Sequence, residues 1–78
     1  MVIAGVLITT KPGQAPFVAA ALATSPNLKL VGGDGHEKIA AVVSEETGEA
    51  LEDWAEALIA QDERILGVFP TFVGDDRA

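Results

Sequence analysis

The chain lacks cysteine and tyrosine altogether, and it has one histidine, one tryptophan and only five basic side chains in 78 residues. Zero cysteines exclude a disulfide framework, a thiolate zinc site and a thiol nucleophile. With no tyrosine and a lone His36, the inventory for acid–base or nucleophilic chemistry is thin. No serine, aspartate and histidine constellation has a motif around it. Catalytic and metal-ligating residues are therefore not assigned, no cofactor is expected, and the chain does not read as an enzyme. Long apolar runs are missing too, since none approaches the ~18–20 residues that a spanning helix needs. The opening Met1–Ile8 is apolar, but its first positive charge is Lys11, after the run rather than before it, unlike a secretory signal. A cytoplasmic protein without membrane insertion is the expectation.

Scarcity of base meets abundance of acid. Twelve acidic side chains against five basic ones give a formal charge of −7. A field of that sign repels nucleic acid phosphates and anionic membranes and favours a basic partner. The same acidity also keeps a small domain soluble. At this length the chain reads as one domain, 1–78, with no linker composition inside it. Such a chain buries only about 60% of its unfolded surface, so there is no room for a deep pocket enclosed by a second domain.

What is present is a rhythm. Val2–Thr9 is β-branched and apolar, and Gln14–Thr24 is Ala-rich and helix-like. Leu28–Val31 and Lys38–Val43 flank a Gly-rich turn, Gly48–Gln61 is an amphipathic helix, and Ile65–Val73 is a last strand. This β-α-β-β-α-β order is the ferredoxin-like α+β plan, a four-stranded antiparallel sheet of order 4-1-3-2 with two helices on one face. In the second helix Leu51, Trp54, Ala55, Leu58 and Ile59 follow i, i+3, i+4, i+7, i+8 spacing, which makes Trp54 a core anchor. Glu45, Glu49, Glu52 and Glu56 lie on a different face as a solvated stripe, and a stripe lacks the convergent oxygens that a divalent site needs. Thr47 is the expected N-cap. In the first helix Pro16 fits the opening turn, and Phe17, Val18, Ala21 and Leu22 form the expected buried stripe. The run Gly32-Gly33-Asp34-Gly35-His36 resembles a phosphate loop in composition. However, a strand follows it rather than a helix, so a hairpin explains the glycines better.

Pro70 stands inside the last strand, which must therefore be an edge or carry a bulge. Strand parity assigns Ala4, Val6, Ile8, Ile39, Ala41 and Val43 to the core. The uncovered sheet face then carries Leu7, Ala40, Val42, Phe69 and Val73 beside Thr9, Thr71 and Lys38. That surface is shallow and partly apolar, suited to a helix, a peptide or a second copy of the chain.

Several segments, taken in order, resemble a known family. They are Ile3-Ala4-Gly5-Val6-Leu7-Ile8 with Lys11-Pro12 after it, the Ala-rich helix ending in Ser25-Pro26, and the Asp34-Gly35 hairpin with Lys38-Ile39. Ile65-Leu66-Gly67-Val68 leading into Thr71-Phe72-Val73 completes the set. Over most of its length the chain is similar to the NapD family, cytoplasmic chaperones of periplasmic nitrate reductase. The resemblance implies a ferredoxin-like fold, no cofactor, and binding of the twin-arginine signal peptide of the nitrate reductase catalytic subunit precursor. Export would thereby be delayed during molybdenum cofactor insertion. The peptide would dock on the open sheet face, at Leu7, Thr9, Ala40, Val42, Phe69, Thr71 and Val73, on a monomer or weak dimer. Family members commonly end the last strand with an aromatic residue and histidines. Here Gly74-Asp75-Asp76 follows Val73, and no role at those positions is carried over. The competing reading is a small-molecule-sensing or oligomerising domain of the dimeric α+β barrel type, whose sheet face packs against another subunit. An isomerase or monooxygenase in such a barrel would need a pocket histidine or tyrosine.

Overall fold

The computed structural model describes residues 1–75. The elements are β1 (Val2–Thr10), α1 (Ala15–Leu22), β2 (Leu28–Gly33), β3 (Lys38–Glu45), α2 (Gly48–Gln61) and β4 (Ile65–Asp75). The four strands form one antiparallel sheet of order β2-β3-β1-β4, the expected order read from the other edge. Both helices pack on one face, where Ala4, Val6 and Ile8 of β1 meet Ile39, Ala41 and Val43 of β3. The parity expected for these two strands holds. No helix among the described residues is long and apolar enough to cross a membrane.

Helix α1 is shorter than the sequence suggests, and its buried stripe is different. Ala15, Val18 and Leu22 are buried and Ala19 partly so, whereas Phe17 is 61% exposed and Ala21 is exposed. Residues 15, 18, 19 and 22 share one helical face, and the small side chains of Ala15, Val18 and Ala19 let the helix lie close to the sheet, which turns Phe17 outward. The Gln14 side chain supplies no cap. Instead the Ala15 amide donates to the His36 carbonyl at 3.0 Å, and Pro16 has no amide to satisfy.

That His36 carbonyl belongs to the β2–β3 hairpin. Asp34 organises the turn by accepting from the amides of His36, Glu37 and Lys38 through one oxygen, each at 2.9 Å. Bonds from the His36 and Lys38 amides, joined by that of Glu37, hold the Asp34 carboxyl below the usual carboxylate range. The hairpin is tied to the β1–α1 loop by the Thr10 amide on the Glu37 carbonyl at 2.8 Å and the Gly13 amide on His36 Nδ1 at 3.1 Å. His36 thus has a structural partner that an isolated turn residue would lack. Its Nδ1 accepts, which assigns the proton of the neutral ring to Nε2.

Helix α2 begins as expected, with Thr47 Oγ1 accepting from the Ala50 amide at 3.0 Å. Its stripe is only partly covered. Leu51, Trp54 and Leu58 are half-buried against the core, Ile59 is exposed, and no α2 residue is fully buried. Trp54 therefore packs against the core, as expected of an anchor, without being fully buried.

Candidate binding surface

Strand β1 forms the spine of the uncovered face, through Ile3, Gly5, Leu7 and Thr9. On one side they pair with Ser44, Val42, Ala40 and Lys38 of β3. On the other they pair with Gly74, Phe72, Phe69 and Gly67 of β4. Lys29 and Gly32 of β2 extend the face beyond β3, opposite Val42 and Ala40.

Strand β4 is at the sheet edge and also carries a bulge, either of which accommodates Pro70. Gly5 faces Phe72 while Val6 faces Pro70, so Thr71 is an extra residue on β4. This insertion reverses the parity of everything after it. Phe72 moves onto the open face, and Val73 falls opposite Ala4 on the helix-bearing face. The expected placement of Val73 is corrected accordingly, and Phe72 takes its place. Leu7, Thr9, Ala40, Val42, Phe69 and Thr71 do lie together on the open face.

Two glycines explain how the aromatic rings sit. A Cβ on Gly5 would lie 2.3 Å from Phe72 Cε1 and 2.8 Å from Thr71 Oγ1, so both side chains lie over the bare backbone of β1. A Cβ on Gly67 would lie 2.7 Å from Phe69 Cε2. Each ring thus rests on a glycine with its outer surface free, leaving Phe69 55% and Phe72 56% exposed. Leu7 of β1 and Val42 of β3, on the same face, are half-buried. Away from the rings, a hollow of about 530 Å³ is lined by Met1, Ile3, Lys29, Val42 and Ser44.

Comparison of the chain with protein-family models, curated proteins and solved structures gives no match.

Charge divides between the two layers. The charged side chains on the open-face positions of the strands are Lys29 and Lys38. Acid gathers on α2, at Glu49, Glu52, Asp53 and Glu56, and no basic residue lies in that helix. The open face therefore offers apolar contact, aromatic rings and two ammonium groups. It can cover an apolar segment about as wide as the sheet, and it contributes no carboxylate of its own.

The sequence concealed Phe72 because alternation assigns it to the core. The signal that reveals it is Pro70 itself. A proline that requires a bulge also cancels parity beyond it.

Proposed function

We propose that this chain is a cytoplasmic export chaperone of the NapD type. It would bind the twin-arginine signal peptide of a nitrate reductase catalytic subunit precursor and delay export during molybdenum cofactor insertion. The observation that supports this reading is an uncovered sheet face with Phe69 and Phe72 presented outward over Gly67 and Gly5. Exposed aromatic rings flanked by Leu7, Ala40 and Val42 suit the apolar stretch of a signal peptide, because burial of such surface on both partners drives association. The net charge of −7 favours approach of a cationic peptide. Lys29 and Lys38 direct its arginine end toward the β4 side by like-charge repulsion.

Calorimetry with a peptide carrying the twin-arginine motif and its apolar segment tests the reading. Leu7→Glu should abolish binding with the fold intact, since it puts a charge into the apolar contact patch between Ala40 and Phe69. Replacing both peptide arginines by glutamine should weaken binding and flatten its salt dependence. Equal affinity for the two peptides would remove arginine recognition from the function. Indifference to Leu7→Glu together with sensitivity to Glu52→Lys would move the site off the sheet.

A further inference from the structure

A groove of about 470 Å³ runs between α2 and the edge strand β4, on the side of the sheet away from the open face. Its floor is apolar, formed by Val6, Val68, Pro70, Val73, Leu51 and Trp54, and Glu52 and Glu56 line it from the helix. Three features distinguish it from an ordinary packing defect. The α2 stripe that faces it has no fully buried residue, although α2 is fourteen residues long. Val73 is 61% exposed there, because the Thr71 bulge turns it toward a helix that does not cover it. Glu52 and Glu56 stand one helical turn apart and form no ion pair among the described residues.

We propose that this groove is a second docking surface, accepting a basic amphipathic helix from a partner protein. Its apolar side chains would lie on Trp54, Val68 and Val73. Two arginine or lysine side chains one turn apart would meet Glu52 and Glu56. An apolar floor with an acidic rim matches that pattern, and partial desolvation strengthens the paired charges. The lining residues run from Gly48 to Ile59 along α2, a length of about 17 Å, which suits about three helical turns. A helix fits better than an added strand. Pro70 removes an amide and the Thr71 bulge breaks the regular spacing of the β4 edge, whereas a docked helix needs no bonds from that edge. The proposal is independent of the signal-peptide reading, since the two surfaces lie on opposite faces of the sheet.

Trp54 is the only tryptophan and lines the groove, so its fluorescence reports occupancy directly. The probe is a synthetic helical peptide with leucines at i, i+3, i+4 and i+7 and two arginines spaced i, i+4 beside them. Titration should shift Trp54 emission to the blue. Glu52→Lys with Glu56→Lys should weaken the peptide by about tenfold or more, and Val73→Asp should do the same from the floor. Circular dichroism would establish that these exposed substitutions leave the fold intact. Leu7→Glu, on the other face, should leave the titration unchanged while abolishing signal-peptide binding. The proposal is overturned by an absent Trp54 response at millimolar peptide, by affinity that survives the charge reversal, or by loss of the response in Leu7→Glu. Self-association of the free chain that Glu52→Lys abolishes would instead assign the groove to a second copy and overturn it as well.

Discussion

Two helices lie on the same face of one sheet, yet α1 buries three of its eight residues while α2 buries none of its fourteen. α1 is apolar throughout and α2 carries four acids, but the bulk of the apolar stripe does not explain the contrast, because α2 has the longer and bulkier one. Contact size does. Ala15, Val18 and Ala19 bring the α1 backbone close to the strands, and the hairpin fixes the start of the helix through the His36 carbonyl. On α2, Leu51, Trp54 and Leu58 reach the sheet without filling the space beneath them, and the groove remains. A stripe of large side chains thus marks where a helix faces, but small ones decide how completely it closes.

The largest test of that contrast substitutes one side chain in each half. Leu22→Ala should cost about 3 kcal/mol, in the range for a buried leucine whose site cannot collapse. Trp54→Ala should cost only about 2 kcal/mol, below the 3–5 expected of a fully enclosed ring, because Trp54 is only partly buried and borders the open groove. Urea unfolding of both variants measures the difference. A Trp54→Ala cost above that of Leu22→Ala would mean that α2 closes onto the sheet in solution.

These two residues also mark what could be read from the chain alone. The element order, the sheet order and the core parity of β1 and β3 were legible, because a period of two in β-branched residues is a local signal. The Thr47 cap was legible for the same reason. Burial within α1 was not, since Phe17 outranks Ala15 in hydrophobicity but not in fit. On β4 the presence of a bulge could be read from Pro70, but its position could not, and a single inserted residue exchanged Phe72 for Val73 on the candidate site. The hairpin was recognisable in its glycines, while the bond from the Gly13 amide to His36 depends on two segments that only folding brings together.

Close approach also shapes the open face, where Gly5 seats Phe72. Gly5→Val would force the ring and Thr71 to move and should cost about 2 kcal/mol, as overpacking typically does. Adding Phe72→Ala should recover part of that loss, since it removes the clash. A double-mutant cycle without coupling would show that the ring does not rest on Gly5.

A smaller effect is expected at the start of α2. Thr47→Ala removes the acceptor of the Ala50 amide and should cost about 1 kcal/mol. Because packing holds α2 weakly, the loss should appear locally. Hydrogen exchange should accelerate in the first turn of α2 and stay unchanged in α1. Equal acceleration in both helices would show that the two halves open as one unit and that the contrast has no dynamic counterpart.

The smallest effect lies at the junction of the loose half, where Asp62 joins α2 to β4. Its carboxylate accepts from Arg64 Nε at 2.9 Å and Nη2 at 2.7 Å, and from the Arg64 amide at 3.0 Å. The guanidinium bonds, followed by the amide, lower the Asp62 pKa from the ordinary 3.8 to about 2. The folded state thus favours the ionised form. Its contribution is complete above pH 3.8, declines as the pH falls, and is lost on passing through about 2. Both side chains are exposed enough for solvent and salt to screen the pair, so the effect is small. Asp62→Ala should lower the urea midpoint slightly at neutral pH, and the gap should narrow as the medium is acidified toward the folded pKa. High salt should narrow it as well. A gap independent of both pH and salt would mean that Asp62 shapes the turn through packing alone, leaving the spacing of α2 and β4 indifferent to its charge.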